Sequence, residues 1–331
     1  MRRSLPPHIS EDHPLVSQEY AVYTAAMAQM INTLGDWIDQ QIPGGYIYGP
    51  SRFGKSRCVK WHMTDVLEQR FKDKVPFVIW PRVPDGQSSE AAFWHNLLLS
   101  ARYHFTNPEK IAKKAVGRFQ LLQLLITMAR AGGSNYVALL IDEAQGMTLK
   151  EWNWLLGIQN QLDWDGYRLA VFSVGSHQIR FQPDFIASLG DPHIVARFFA
   201  SKAPFYGIRS VDELRFILMG YDIDSEWPRG SGTSYLQYFA PELFAGGARL
   251  ASCAPTIWNV FNELLPPEFS TDTALRKIQY PMQHLAFSVE RALFRLAGGE
   301  DWDNVTSEES WLEMIAKTQF TNHMRDVARA A

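Results

Sequence analysis

Apolar positions recur along this chain with two periods, and their alternation predicts a layered α/β region followed by helices. Val16, Tyr20, Tyr23, Met27, Met30, Ile31, Leu34 and Ile38 fall at helical spacing, which predicts one or two helices over 15–40. Pro43-Gly44-Gly45 ends that pattern, and Tyr46-Ile47-Tyr48 reads as a short strand. A helical pattern then reaches about Phe71, Phe77-Val78-Ile79-Trp80 reads as a second strand, and helices are predicted near 90–104 and 109–131. Tyr136 to Ile141 is a near-continuous apolar run, which suits a strand buried on both faces, as in a parallel sheet. Helix 149–162, strand 168–174, helix 177–189 and a short strand around Pro204–Ile208 complete a βα alternation. That alternation predicts a doubly wound parallel sheet of five strands. Beyond Ser210 the pattern reads as helices alone, over 211–221, 248–265, 271–297 and 307–329. The expected organisation is an N-terminal helical segment (1–40), an α/β core (41–209) and a mainly helical lid and tail (210–331).

Composition narrows the class. At about 150 residues per domain, 331 residues suit two domains, and 46% hydrophobic residues argue against disorder. Two cysteines, Cys58 and Cys253, cannot staple a fold of this size, so reduced thiols and a cytoplasmic setting are expected. No apolar run reaches the roughly 18 residues of a membrane span, and Pro6-Pro7 stands where a signal peptide would carry its apolar core. A soluble protein with no membrane partner is the expectation. The 32 basic residues are outnumbered by 35 acidic ones, so any contact with nucleic acid must come from a local patch. The histidines and cysteines show no metal-ligand spacing, which argues against a zinc site.

The clearest chemistry lies in Gly49-Pro50-Ser51-Arg52-Phe53-Gly54-Lys55-Ser56, a complete G-x-x-x-x-G-K-S following a predicted strand and opening a predicted helix. Backbone N–H groups of such a loop cradle phosphates, and the helix start adds partial positive charge. Lys55 suits the β- and γ-phosphates, and the Ser56 hydroxyl suits Mg²⁺; the next residue, Arg57, joins this candidate nucleotide-binding set. A chance match in a chain this long is of order one in a hundred. Asp142-Glu143 follows the apolar strand, with 85 residues between Ser56 and Asp142. Asp142 suits a Mg²⁺-associated acid and Glu143 a general base polarising the attacking water, with a helix cap as the alternative for Glu143. The extra strand 77–80 and the tandem acids mark the ATPase branch of P-loop proteins, and no Asn-Lys-x-Asp segment is present to read guanine. ATP is the expected nucleotide.

These features together resemble an AAA+ ATPase. More narrowly, Tyr46 to Ser56, Leu139 to Gln145 (L-L-I-D-E-A-Q) and Val171 to Ser176 (V-F-S-V-G-S) resemble the TnsC/TniB family of bacterial transposition regulators, and the compact size favours the short members found in CRISPR-associated transposons. The resemblance is clearest across about 40–220. It implies a γ-phosphate sensor at Ser176, with Ser173 as rival and an N-cap as the bland reading. It also implies an arginine finger acting in trans at Arg197, against a surface ion pair with a residue such as Asp191. Arg249 resembles the sensor-two arginine of the AAA+ lid, against a solvent-facing arginine at a helix start. The densest basic stretch, Arg102, Lys110, Lys113, Lys114 and Arg118, is a candidate DNA contact, with Lys110, Lys113, Lys114 and Gly117 expected on one helical face. An ordinary solvated face is its alternative.

Under this resemblance the chain is an ATP-dependent regulator that forms a ring or filament on duplex DNA. It would link target-selection proteins of the TniQ type to a transposase of the TnsA and TnsB type. Two alternatives remain: an ATP-switched signalling scaffold of the STAND type, although no repeat sensor is present, and a helicase or replication-initiator loader, although no helix-turn-helix is convincing.

Overall fold

The computed structural model describes residues 5–72, 75–83, 89–269 and 278–330. Five parallel strands, β1 (Gly44–Tyr48), β2 (Phe77–Pro81), β3 (Tyr136–Asp142), β4 (Arg168–Gly175) and β5 (Ser201–Pro204), form one sheet in the order β2-β3-β4-β1-β5. All seven residues of β3 are buried, as are all of β4 after Arg168, because helices cover both faces. β1 lies between β4 and β5 in register Gly44↔Val171 and Gly45↔Ser201. Gly44 is required by packing, since a Cβ there would lie 2.3 Å from the Arg197 carbonyl oxygen.

The chain divides into two compact units, neither contiguous in sequence. The sheet-bearing unit comprises Gln29–Pro50 and Val59–Phe205. Its core joins Val137, Leu139 and Ile141 of β3 to Trp152, Leu155 and Ile158 of the helix Leu149–Trp164 and to Leu121, Leu122 and Leu125 of the helix Lys114–Ala131. The second unit comprises the described residues up to Ala28, Ser51–Cys58 and the chain from Tyr206 onward. Residues up to Ala28 thus fall in the second unit and Gln29–Pro50 in the sheet-bearing one.

Several expected elements are corrected. β5 ends at Pro204 and does not span 204–208; Ile208 instead forms an isolated antiparallel bridge to Tyr280. The pattern over 15–40 contains a short turn of helix, Pro14–Ser17, and a longer helix, Ala25–Asp39. The helix predicted over 109–131 starts only at Lys114, because Lys113 adopts an extended ψ of 144° as its cap. The segment 177–189 opens as a 3-10 turn, His177–Phe181, before the helix Gln182–Ser188, which carries Pro183 in its first turn. In the tail, 307–329 divides into Glu308–Ala316 and Phe320–Ala330, with Gln319 left-handed at φ 63° between them. Of the helix expected over 271–297, Met282–Ala297 is observed, and 271–277 lies outside the described residues. No helix among the described residues is long and apolar enough to cross a membrane.

One buried ion pair anchors the sheet-bearing unit. Arg82, just past β2, donates from Nη2 to both Glu151 oxygens at 2.9 and 3.1 Å, and both side chains are almost fully buried. Glu151 also closes a capping box, accepting at Oε2 from the Thr148 N–H at 2.7 Å. Removing one partner of a buried pair leaves an uncompensated charge at a cost of about 3–5 kcal/mol. Arg82→Met is therefore expected to lower the denaturant midpoint strongly. Adding Glu151→Gln, which keeps a cap acceptor without the charge, is expected to recover most of the loss. A single variant within about 1 kcal/mol of wild type contradicts this account.

The second unit closes on aromatic packing. His13 stacks on Tyr238 at 4.9 Å and meets Tyr235, Phe239 and Trp227 edge-on, while its Nδ1 accepts the Leu15 N–H at 3.0 Å. Burial lowers its pKa to about 4 from 6.5. The unfolded chain therefore binds more protons between those two values, so this stability is full above about pH 6.5 and is lost as pH falls toward 4. The loss at pH 5 is about 2 kcal/mol by linkage. Unfolding free energies measured from pH 4.5 to 8 should fall with pH at least this steeply, and His13→Phe should reduce the slope, leaving the contribution of the similarly buried His284.

Candidate functional site

The glycine-rich loop begins at the end of β1. The Gly49 N–H donates to the Gly175 oxygen at 3.3 Å, and a Cβ at Gly49 would lie 2.5 Å from the Phe205 oxygen. Arg52 and Gly54 both have positive φ, 66° and 113°. Phe53 between them is 3% exposed and acts as an apolar plug. Lys55 is the first residue of the helix Lys55–Trp61 and is itself buried, whereas Ser51, Arg52, Ser56 and Arg57 are exposed. The first N–H groups of a helix have no intrahelical acceptor and favour an anion.

Around this loop the second unit forms a narrow, largely apolar cleft lined by Thr24, Ala25, Phe53, Tyr206, Ile217 and Met282. Apart from Phe53, these residues escaped the sequence reading, because they come from three separated stretches of chain. Arg57 does not project freely: its Nη1 donates to the Gln18 and Tyr20 oxygens at 2.6 and 2.8 Å, pinning the N-terminal segment. That segment is held again where Tyr20 donates its hydroxyl to Glu290 Oε1 at 2.8 Å. The Arg52 carbonyl accepts the Gln283 N–H at 3.1 Å. In the helix beginning at Met282, His284 Nε2 faces His323 Nδ1 at 2.9 Å. Burial first, then His323 and the Arg52 charge, lower the His284 pKa to about 4.

Arg249 precedes its helix, as the cap of the 3-10 turn Leu250–Cys253. Its guanidinium lies 3.8 Å over the Phe244 ring and donates to the Phe244 and Ala248 oxygens. The true cap acceptor is the buried Asp222 carboxylate, which takes the Leu250 and Ala251 N–H groups at 2.9 Å each.

In the sheet-bearing unit the ends of β3 and β4 carry the remaining candidates. Asp142 closes β3 buried, and its Oδ1 accepts the Glu143 N–H at 3.0 Å. Glu143 is exposed and left-handed at φ 59°, the turn that takes the chain off the strand. Ser176 follows β4 as the cap position of the 3-10 turn, but its hydroxyl makes no capping hydrogen bond. Both the Ser176 and the Ser173 hydroxyls are buried without a hydrogen-bond partner among the described residues. Ser173 lies inside the ladder opposite Tyr46 and Ile141, whereas Ser176 lies past the strand end.

Gln145 is the last residue of the D-E-A-Q segment, and the sequence pattern alone assigns it no role. Its side chain bonds both Glu143 and the Ser176 N–H. Arg180, also unassigned from sequence, places its guanidinium 5.1 Å over the Tyr48 ring beside the start of the loop.

Arg197 pairs with Asp163 at 2.9 Å, both half-exposed, and the expected surface partner Asp191 is instead 3.7 Å from His193. The basic stretch does not form one helical stripe. Arg102 is exposed and left-handed at φ 53°, Lys110 lies ahead of the helix, and Lys113 is its cap. Lys114 pairs with Glu90 at 3.5 Å, and a Cβ at Gly117 would meet Trp94 at 3.1 Å. Arg118 turns onto the helix Leu149–Trp164, donating to the Gly157 oxygen at 3.2 Å. The late start of the helix breaks the spacing on which that face depended. No cluster of three or more His, Cys, Asp or Glu side chains able to hold a metal occurs among the described residues. A hydroxyl (Ser56) and a buried carboxylate (Asp142) are oxygen donors of the kind Mg²⁺ takes when phosphates and waters complete its shell.

The sheet order, with the glycine-rich loop after a strand between two neighbours, is that of an AAA+ core. No protein-family model and no curated protein match the chain. Among solved structures it is similar to Cdc6p from Pyrobaculum aerophilum, with 14% identity, TM-score 0.44, and 97% of this chain and 90% of that one covered. It is similar to a Walker-type ATPase of Pyrococcus abyssi, with 12% identity, TM-score 0.48, and coverage of 92% and 75%. It is also similar to a chain in the structure of Drosophila ORC bound to AT-rich DNA and Cdc6, with 10% identity, TM-score 0.44, and coverage of 92% and 43%.

Proposed function

We propose that this chain is an ATP-hydrolysing AAA+ switch whose nucleotide state governs its assembly on duplex DNA. The observation that carries the nucleotide reading is the intact glycine-rich loop, with Gly54 at φ 113° delivering a buried Lys55 as the first residue of its helix. In this reading the loop from Gly49 to Ser56 takes the phosphates. Ser56 and Asp142 would hold Mg²⁺, which when bound supplies charge neutralisation at the phosphates. Glu143 accepts a proton from the attacking water, and Ser176 reports on the γ-phosphate. Arg197 serves a neighbouring copy in trans; its half-exposed pair with Asp163 is of a kind worth about 1 kcal/mol or less, so little holds it in place. Arg249 has the lid role and would have to leave the Phe244 ring to meet nucleotide. Arg102, Lys110, Lys113 and Lys114 remain candidate DNA contacts as scattered charges, with Arg118 partly committed to Gly157.

Two finer readings rest on different supports. The segments Leu139–Gln145 and Val171–Ser176 resemble TnsC/TniB, which supports a transposition regulator joining target selection to a transposase. The second reading is a helicase or replication-initiator loader ATPase, which shares the nucleotide-binding core; two of the similar structures are those of Cdc6p and of ORC with Cdc6.

Lys55→Ala is expected to abolish ATP binding, and Glu143→Gln to keep binding while slowing hydrolysis by about 10²–10⁴-fold, the range of a general base. With a slowly hydrolysed ATP analogue and duplex DNA, light scattering and electron microscopy should show large nucleotide-dependent particles. ATP binding without DNA association would move the reading to a signalling scaffold. Association with a replicative helicase, tested on the same particles, would favour the loader over the transposition regulator.

A further inference from the structure

We propose that Gln145 is a positioning residue for Glu143: its amide ties the Glu143 carboxylate to the end of β4, so that the base and the strand end beside Ser176 are set together. This rests on Glu143 being the general base. The side-chain amide bridges two groups, donating from Nε2 to Glu143 Oε2 and accepting the Ser176 N–H at Oε1 at 3.0 Å. That pairing determines which way the amide points. Exchanging oxygen and nitrogen would set a carbonyl against the carboxylate and an NH₂ against an N–H. Neither Glu nor an apolar residue of the same length can make both bonds, and Asn is one methylene shorter.

The surroundings prepare this contact. A Cβ on Gly175 would lie 2.7 Å from Gln145 Oε1, so the glycine is what lets the amide reach the strand end. The Gln145 carbonyl accepts from Gln182 Nε2 at 2.9 Å, and Gln182 Oε1 in turn accepts the indole N–H of the fully buried Trp152 at 3.3 Å. The turn is therefore tied to the core. Glu143 itself is left-handed, a conformation that persists in a non-glycine residue only where neighbours over-determine it. Asp142 Oδ1 on its N–H and Gln145 on its carboxylate are two such neighbours. A displacement of the β4 end thus reaches the Glu143 carboxylate through one side chain.

The test uses the full chain with ATP and Mg²⁺. Gln145→Met removes both bonds. Gln145→Glu keeps an acceptor for the Ser176 N–H but sets a second carboxylate against Glu143, and its near-identical size keeps the question answerable if the Met variant fails to fold. Both should lower kcat at least tenfold while KM and the nucleotide Kd stay close to wild type, and Gln145→Glu, which keeps an acceptor for the Ser176 N–H, should melt close to wild type; Gln145→Met is expected to melt lower because it leaves that N–H unpaired. Placed on Glu143→Gln, either change should slow the residual rate by less than twofold, because its effect passes through Glu143. A merely structural Gln145 predicts losses that track melting temperature and nucleotide affinity and that persist in the Glu143→Gln background. That result, or kcat within twofold of wild type in both variants, overturns the proposal. A wild-type chain that binds ATP without hydrolysing it, or a Glu143→Gln variant as fast as wild type, overturns the underlying reading of Glu143 and the Gln145 role with it.

Discussion

A sheet buried on both faces must satisfy every N–H and C=O inside its ladder, and the chemistry gathers where that ladder runs out. β3 is buried from Tyr136 to Asp142 and β4 from Leu169 to Gly175, so their backbones have strand neighbours along most of their length. At the last residues those neighbours end and side chains take over. Asp142 accepts the next N–H, Gln145 accepts that of Ser176, and Gln182 donates to the Gln145 carbonyl. Asp142, a candidate catalytic residue, and Gln145 thus also help terminate the sheet. An apolar replacement at such a position removes a function and orphans a buried backbone group together.

The same economy appears away from the strand ends. Glu151 caps the helix Leu149–Trp164 and neutralises Arg82, so one carboxylate serves a helix start and a buried cation. Gln159, fully buried in that helix, donates to the Leu169 oxygen at 2.8 Å, where β4 enters the sheet. Glu151 and Gln159 thus each bond a backbone group at the start of an element, the Thr148 N–H and the Leu169 oxygen. This arrangement fixes how the helix lies along β4 more tightly than apolar packing would.

In the second unit the N-terminal segment is held by polar contacts spaced along it. Tyr238 donates to the His8 oxygen, His13 accepts within its aromatic surround, Arg57 grips Gln18 and Tyr20, and Tyr20 reaches the buried Glu290. Thr24 and Ala25, which follow, line the cleft beside Phe53. Arg57, the residue after Ser56, therefore helps shape the segment that lines the cleft.

Local pattern in the sequence determined the order of strands and helices, the parallel sheet, the glycine-rich loop and the acid pair at the end of β3. These depend on periodicity and short motifs, which neighbouring residues carry by themselves. The late start of the helix at Lys114 was not legible, because the charges at 110–118 fit a helical face whether or not the chain is helical there. The partner of Arg197 was hidden for a different reason, since Asp163 lies 34 positions away. The Arg82–Glu151 pair, the cleft lined by Thr24, Tyr206 and Met282, and the bridge from Glu143 through Gln145 to Ser176 likewise join separated stretches. Tertiary structure alone decided these, because a hydrogen bond or an apolar wall depends on which distant side chains the packed strands and helices bring within a few ångströms.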